Sequence, residues 1–503
     1  MQVAARDTGV TAGDLFGNTV PAELAGRHVP DITLDSRRVT PGCLFLAVAG
    51  GRAHGLSHVA EAADAGAGMV AWEPADGLAA PRLPEGVVAF PVPGLKRQAG
   101  ELADRFFGEP SRRVRVTGIT GTNGKTTCSH LVAGGLQRLG TPAGIIGTLG
   151  VGMEGELAPS LLTTPDVVEV HRSLSRLADR GARAVAMEVS SHALAQGRVD
   201  AVRFAVAAFT NLSRDHLDYH GSLEAYAEAK ASLFLAHDPA GAVINVGDPV
   251  GRRIWERLPD GMGRIAVGRE ADRAAGNDSA LVLGSVRTRP AGLVVSVEWR
   301  GSVLTLRSPL VGEFNAENLA LALAVLISLD YDPRAAAEAL STVAAPPGRM
   351  EAFTDGERGV LCVVDYAHTP DALGKALAAL REHCEGRLWC VFGCGGDRDP
   401  GKRPEMARIA ERMADELVVT DDNPRTEDGH AIVADILAGL ADPRRAVVER
   451  DREKAIRQTI EAAAPGDVVL VAGKGHEDYQ IIGRSRRPFS DRDIVRSLVE
   501  TAA

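Results

Sequence analysis

Residues 114–127 read VRVTGITGTNGKTT. A β-branched run enters a glycine-dense turn, and a helical pattern opens at Lys125-Thr126. That order confines the chain to strand, tight loop and helix, with loop N–H groups turned inward around an anion. Gly121, Thr122, Asn123, Gly124, Lys125, Thr126 and Thr127 are therefore the candidate ATP loop. Lys125 is placed to reach the β and γ phosphates, and the Thr126 hydroxyl to meet Mg²⁺. The strict pattern asks for glycine five positions before Gly124. Ile119 stands there and Gly118 sits one place early, so the loop is a variant. A phosphate loop says only that nucleotide is bound.

The rest of the chain alternates in the same way. Short apolar runs at 184–189, 204–209 and 242–246 follow the loop, with a helix over 126–139 between. Strands alternating with helices predict a parallel sheet covered on both faces. Residues 280–306 break into short alternating runs split by Gly and Pro, which predicts a small antiparallel insertion, and a helix follows at 316–328. Before the loop, strands are predicted at 43–49 and 68–72 and helices at 57–66 and 95–107. Glu109-Pro110 ends the last of these, because a residue before proline is pushed out of the helical region. Five strands at 361–365, 387–393, 416–420, 445–449 and 467–473 alternate with helices at 370–382, 402–414, 430–440 and 451–463. That last third reads as a Rossmann-like unit without the G-x-G-x-x-G of a dinucleotide site. The expected architecture is α/β in three domains: 1–109, a central phosphate-loop domain over 110–343, and 344–503.

Composition narrows the function. The 503 residues carry 56 basic and 66 acidic side chains, a net charge of −10, which argues against nucleic-acid binding by bulk electrostatics. Six cysteines are too few for a disulfide framework, and no His/Cys pattern completes a zinc site. The N-terminus lacks a signal-peptide pattern, and no apolar run reaches the ~18 residues of a membrane span. A cytoplasmic monomer acting on small molecules is expected.

Chemistry-bearing residues cluster after the strands. Glu188, in MEVSSH (187–192), lies at a strand's C-terminal end and is a candidate Mg²⁺ ligand. His192 reads equally well as an ordinary loop histidine. NLSRDHLDYH (211–220) offers two Asp and two His, His216 and His220, as a solvated loop or a second metal position. Lys230 ends an Ala-rich helical run and, on periodicity alone, reads as solvated. Four loops follow strands in the last third: DYAHTPD (365–371), GCGGDRD (393–399), DDNPR (421–425) and GKGHE (473–477). In a parallel sheet they gather at one edge.

With EFNAEN (313–318) and GRME (348–351), these motifs make the chain resemble the Mur ligase family over nearly its whole length. GCGGDRDPGKRP, DDNPRTE and VAGKGHEDYQ are similar to the members that add the third residue of the muramyl peptide. The resemblance implies an N-terminal domain for UDP, a central ATPase and a C-terminal amino-acid domain. It implies that Lys230 is carbamylated by CO₂ and joins Thr126, Glu188 and His216 around the metal, with Lys125, Lys230, Glu188 and His216 as the catalytic group. Leu34, Ser36, Gly51, Arg52 and Ala53 fall on the UDP-sugar, although Gly-Arg-Ala brings no polar amide to that turn. Thr163, Thr164, Ser190, Gln196 and Arg198 fall on UDP-MurNAc-dipeptide. Asn315, Asn318, Arg349 and Asp365 fall on the adenosine. Arg398, Asp422, Asn423, Pro424, Arg425, Gly473 and Glu477 fall on the incoming amino acid.

Arg425 carries the specificity argument. Diaminopimelate exceeds lysine by a distal carboxylate, and a guanidinium fork binds carboxylate bidentately. An exposed arginine after an Asn-Pro turn is the plainer reading. The implied activity is ATP-dependent addition of diaminopimelate, meso or LL, to UDP-N-acetylmuramoyl-L-alanyl-D-glutamate in peptidoglycan synthesis. Lys125 and Mg²⁺ would screen charge as the acyl phosphate forms, and His368 is a weak candidate for the amine's base. The alternatives are a lysine-adding member, a ligase like folylpolyglutamate synthetase, and a phosphate-loop binding module without ligase activity.

Overall fold

In a computed structural model, residues 9–51, 53–276, 279–356 and 358–500 are described. Arg52, expected on the UDP-sugar, lies outside them. The chain divides into two compact units. The first comprises Met1–Lys125, Gly140–Val243 and Arg253–Arg264, and the second the remainder.

The first unit begins with four parallel strands in chain order: β1 (Ile32–Thr33), β2 (Leu44–Ala47), β3 (Met69–Trp72) and β4 (Val88–Pro91). β2 and β3 are buried at every residue, as continuous apolar runs require when both faces are covered. The helix Leu95–Phe106 packs on one face and Val59–Asp64 on the other. The pattern expected as one helix over 57–66 is a 3-10 turn, Gly55–His58, followed by that shorter helix. Pro110 does more than stop the preceding helix. Glu109 takes φ 48°, and proline opens a new short helix, Pro110–Arg113. At the first helical position its missing N–H costs nothing.

The phosphate-loop sheet follows. Its strands in this unit are β5 (Arg115–Thr120), β6 (Ala143–Gly147), β7 (Gly150–Met153), β8 (Glu156–Ala158), β9 (Ala184–Glu188) and β10 (Phe204–Phe209). They lie in the order β10-β5-β9-β6-β7-β8. The first four of that order are parallel, and β7 and β8 are antiparallel additions absent from the sequence reading. Ile119 stands opposite Glu188, and Thr120 opposite Phe209. The loops after β5, β9 and β10 therefore leave the sheet at one level.

β11 (Gly241–Asn245) carries the chain toward the second unit. There β12 (Gly263–Gly268) pairs parallel with β13 (Ala280–Arg289), which continues antiparallel through β14 (Gly292–Trp299) and β15 (Ser302–Ser308), the expected insertion. The helix Phe314–Ser328 is apolar almost all round and buried accordingly.

The last sheet runs β16-β17-β21-β18-β19-β20. The strands are β16 (Glu351–Asp355), β17 (Val360–Asp365), β18 (Leu388–Phe392), β19 (Glu416–Val419), β20 (Ala446–Val448) and β21 (Val468–Ala472). All pairs are parallel except β16 with β17. The five expected strands and four helices are present; β16, the hairpin β22 (Tyr479–Ile482) and β23 (Ser485–Pro488), and the helix Asp491–Glu500 are additions. Asp365 pairs with Ala472, and Phe392 with Val419, so the four loops do emerge at one edge.

One buried ion pair fastens that edge from below. Arg452 forks onto Asp491 at 2.7 and 2.8 Å, and both side chains are fully buried. Arg452 also donates to the carbonyl of Ala472 at 2.9 Å. Removing one partner strands a buried charge, which costs about 3–5 kcal/mol, whereas replacing both with apolar groups costs far less. Asp491→Ala should lower stability by that amount in urea denaturation, and Arg452→Met with Asp491→Leu should recover most of it.

Candidate active site

The phosphate loop is shaped by what Gly121 lacks. Its φ is 149°, and a Cβ there would lie 1.8 Å from Thr210 Oγ1. That close approach lets the segment after β10 latch the loop. Thr210 Oγ1 donates to Asn123 O at 2.6 Å, and Asn123 N donates to Asn211 Oδ1 at 3.0 Å. Thr122 Oγ1 accepts from Ser213 N at 3.0 Å and lies 3.1 Å from Tyr226 OH. The sequence reads this stretch as a solvated loop or a second metal position. Its first residues instead brace the loop; Thr210 and Tyr226 were missed because no local pattern shows which loop a neighbouring strand will meet.

Lys125 Nζ donates to the carbonyls of Gly121 and Thr122, each at 2.9 Å. Lys230 Nζ donates to the same Gly121 carbonyl at 2.7 Å. Lys230 is 1 % exposed, which overturns its reading as a solvated side chain. Its helix, Leu223–Leu235, is capped by Ser222 and buries Tyr226, Ala227, Lys230 and Phe234. Burial first, and the Lys125 ammonium second, push the Lys230 amine well below the ordinary lysine range. Its Nζ lies 4.6 Å from the centre of the Tyr226 ring.

Glu188 is buried, and both its oxygens are held by one residue. Thr148 N donates to Oε1 at 2.8 Å and Thr148 Oγ1 to Oε2 at 3.1 Å. Thr148 Oγ1 also lies 3.0 Å from Thr163 Oγ1. Thr164 donates to the Glu188 carbonyl at 2.8 Å and accepts from Ser190 N at 3.1 Å. Arg198 donates to Thr164 O at 2.9 Å and forks onto Gln196 Oε1. Gln196 in turn donates to Tyr219 OH at 3.0 Å. The five residues expected on the UDP-MurNAc-dipeptide thus form one bonded cluster running into Glu188. Thr148, the link between them, carried no sequence signal.

His192 lies in the helix Ser191–Ala195, with its ring 4.8 Å from His216 and 4.2 Å from Tyr219. Burial and the neighbouring imidazoles hold its pKa below the usual histidine value. His216 is exposed and adopts φ 51°. Among the described residues, no three His, Cys, Asp or Glu side chains gather as a metal site. Mg²⁺ wants oxygen donors and keeps several waters, so Glu188 as a single buried carboxylate fits it and an imidazole fits less well.

In the second unit, Asn318 donates to Asn315 Oδ1 at 2.8 Å, Asn315 donates to Val311 O at 2.7 Å, and Cys128 Sγ reaches Asn318 Oδ1 at 3.4 Å. The Arg349 guanidinium stacks 5.0 Å from the Tyr366 ring, and its Nε is buried without a partner. Asp365 accepts from Met350 N and Ala367 N at 2.8 and 2.9 Å; burial raises its pKa against those bonds. His368 Nδ1 is occupied by the Tyr366 carbonyl at 2.9 Å.

Three of the four strand-end loops meet at Asn423, whose carbonyl accepts from Gly396 N at 2.9 Å, while Tyr366 of the fourth lies 5.2 Å from His476, ring to ring. Asn423 Nδ2 donates to Glu477 Oε2 at 2.9 Å, and its Oδ1 accepts from Ile481 N at 2.9 Å. Gly473 (φ 118°) packs so closely that a Cβ would lie 2.7 Å from Asp422 Oδ2. Arg425 adopts φ 53°, and its backbone pairs with Ile481 and Gly483 of the β22 hairpin. Its Nη1 donates to Gly396 O at 2.8 Å, which leaves the other guanidinium nitrogens for a ligand. Arg398 is exposed nearby, where its charge helps hold Asp397 below the usual carboxylate range after the stronger bonds from Thr426. In the first unit, Ser36 donates to Glu61 Oε2 at 2.7 Å, Leu34 is half-buried, and Gly51 and Ala53 lie exposed in a turn closed by Gly50 N on Ala53 O.

Three family models match in succession: Mur ligase family, catalytic domain, at residues 28–107; Mur ligase middle domain at 119–326; and Mur ligase, glutamate ligase domain, at 348–475. The UDP-N-acetylmuramoyl-L-alanyl-D-glutamate--2,6-diaminopimelate ligase of Xanthomonas campestris pv. campestris (strain 8004) is 49% identical over 467 residues, 93% of each chain. The chain belongs to the Mur ligase family. A solved structure of a UDP-N-acetylmuramoyl-L-alanyl-D-glutamate--2,6-diaminopimelate ligase superposes with a TM-score of 0.73 at 35% identity, covering 98% of this Mur ligase and 99% of that chain. The MurF ligase from Thermotoga maritima in complex with ADP shares the fold, with a TM-score of 0.59 at 20% identity over 94% and 98% of the two chains. Among the described residues, no helix of this Mur ligase is long and apolar enough to cross a membrane.

The lowered Lys230 pKa has a pH signature. Between its folded value and the unfolded 10.5, the unfolded chain binds the extra proton, so native stability rises with pH through that window and falls as pH drops. In CO₂-free buffer, the urea midpoint of the native protein should climb toward pH 10, and Lys230→Met should lose that part of the slope.

Proposed function

We propose that this Mur ligase joins diaminopimelate to UDP-N-acetylmuramoyl-L-alanyl-D-glutamate at the expense of ATP, through an acyl phosphate. The observation that carries the reading is the DDNPR loop. Asn423 is locked between Glu477 and the hairpin backbone, and Arg425 is held by its own main chain with part of its guanidinium uncommitted. Such a fork suits a second, distal carboxylate, which lysine lacks. Relatives named for the diaminopimelate reaction over 93% of the chain support it.

The three segments matched by family models favour domains at 1–109, 110–343 and 344–503. The sheets β1–β4 and β16–β21 each have an apolar core on both faces, as separate domains would. UDP is assigned to the first around Leu34, Ser36, Gly51, Arg52 and Ala53. ATP is assigned to Gly121–Thr127, with Asn315, Asn318, Arg349 and Asp365 toward adenosine. Thr163, Thr164, Ser190, Gln196 and Arg198 take the muramyl dipeptide. Arg398, Asp422, Asn423, Pro424, Arg425, Gly473 and Glu477 take the amino acid. The work is placed in the cytoplasm, by a monomer.

Lys230 is assigned a carbamate. Its neutral amine attacks CO₂, the nitrogen loses a proton, and an anionic oxygen pair results. That group, the Glu188 carboxylate and the Thr126 hydroxyl would be the oxygen donors to Mg²⁺, and His216 is assigned as a further ligand. Bound Mg²⁺ supplies charge neutralisation along the phosphates. Lys125 screens the γ-phosphate while the D-Glu carboxylate approaches it, and Arg198 and Thr164 hold the dipeptide against drift.

The test is phosphate release by purified enzyme with ATP, Mg²⁺ and UDP-MurNAc-L-Ala-D-Glu, comparing meso- and LL-diaminopimelate with L-lysine. Release with a diaminopimelate alone is expected; release with lysine alone refutes the specificity. Arg425→Ala should lower kcat/KM for diaminopimelate about 10- to 100-fold, the loss of one charged hydrogen-bonded contact, and leave the KM for ATP unchanged.

A further inference from the structure

Lys474 stands inside the amino-acid loop, yet no role has been given to it. Its side chain is 0 % exposed. A lysine ammonium taken wholly out of water needs charged or strongly polar partners. Lys474 Nζ has two: Glu477 Oε2 at 2.8 Å and Asn423 Oδ1 at 3.2 Å. Its third neighbour is the Tyr479 ring, 5.4 Å away at the centroid.

The two oxygens of Glu477 are treated differently. Oε2 accepts from both Lys474 Nζ and Asn423 Nδ2, at 2.8 and 2.9 Å. Among the described residues, Oε1 has only a long contact, 3.5 Å, from Tyr479 OH. One oxygen is saturated by fixed donors, and the other keeps its accepting capacity. The carboxylate cannot rotate freely, because Asn423 is itself pinned by Ile481 N and the Glu477 backbone N–H is tied to Lys474 O at 3.0 Å. A carboxylate held by one edge, 15 % exposed, with its other edge available, is a pre-set receptor for an ammonium group.

We propose that Lys474 is a positioning residue for the incoming amino acid: it clamps Glu477 Oε2 so that Oε1 receives the substrate's ammonium. The inference rests on the proposed amino-acid site but adds a residue to it and a division of labour within Glu477. A buried lysine kept only for stability would behave otherwise. An apolar side chain of similar volume can replace a buried charge at little cost once its partner is neutralised, and all substrates would then feel the change alike.

The experiment measures KM for diaminopimelate, ATP and UDP-MurNAc-L-Ala-D-Glu, with kcat, for the native enzyme, Lys474→Met, Lys474→Gln, Glu477→Gln and Lys474→Met/Glu477→Gln. Lys474→Met should raise the KM for diaminopimelate about tenfold or more, the scale of a lost charged hydrogen bond, with the other two within about twofold. Lys474→Gln, which keeps a donor for Oε2, should fall between Met and native. The double variant should be no worse than the poorer single, because both act through one carboxylate. Equal changes in all three KM values, or multiplicative losses in the double, would overturn the proposal. If Lys474→Met fails to fold by circular dichroism, the Lys474→Gln and Glu477→Gln pair carries the same comparison. Should the native enzyme accept lysine and reject diaminopimelate, the substrate reading fails separately, and the KM shift for lysine then tests Lys474.

Discussion

Where β5 pairs with β9, Ile119 lies opposite Glu188; where β17 pairs with β21, Asp365 lies opposite Ala472. Parallel pairing forces neighbouring strands to end level, and each then releases its loop at one edge. The phosphate loop can be latched by residues 210–213 only because β10 ends beside it. Asn423 can bond to Glu477 only because their strands belong to one sheet. A one-residue slip of β9 would move the Glu188 carboxylate to the other face of the sheet and away from Thr148.

How legible was this? Five of the six strands of the last sheet were plain, β16 being the exception; a strand covered on both faces reads as an unbroken apolar run, as in DVVLVAG. β1 has two residues, β22 has four, and β23 is largely polar and solvent-facing, so none rises above loop composition. Pro110 was read as a stop and proves to be also a start, since one ring serves both ends. Within the site, glycines, Lys125, Glu188 and the loop motifs were visible as types. Their partners were not. Lys230 sits in an Ala-rich helix buried on several sides, where periodicity gives no bearing on which side meets water. Thr148, Thr210 and Tyr226 come from other elements and are ordinary residues until the fold brings them close.

The fold deals with buried cations in two ways. Arg452 has a carboxylate within bonding distance and keeps its charge, and Lys474 lies 2.8 Å from Glu477. Among the described residues Lys230 hydrogen-bonds only to a backbone carbonyl, beside another lysine, and its amine is pushed toward neutrality. The first arrangement makes rigid struts behind loops. The second leaves a lysine amine of weakened basicity. Both follow from the same desolvation cost, with the partner deciding the outcome.

Arg425 adopts a left-handed backbone that asparagine or glycine accepts more readily, at a cost on the order of 1 kcal/mol. Exchange for either would relax the main chain and discard the guanidinium fork in one step. Loss of the arginine is therefore downhill in local backbone energy, while its gain is uphill. An arginine at this position is thus held against the local conformational preference, and whatever its guanidinium does has to outweigh that cost.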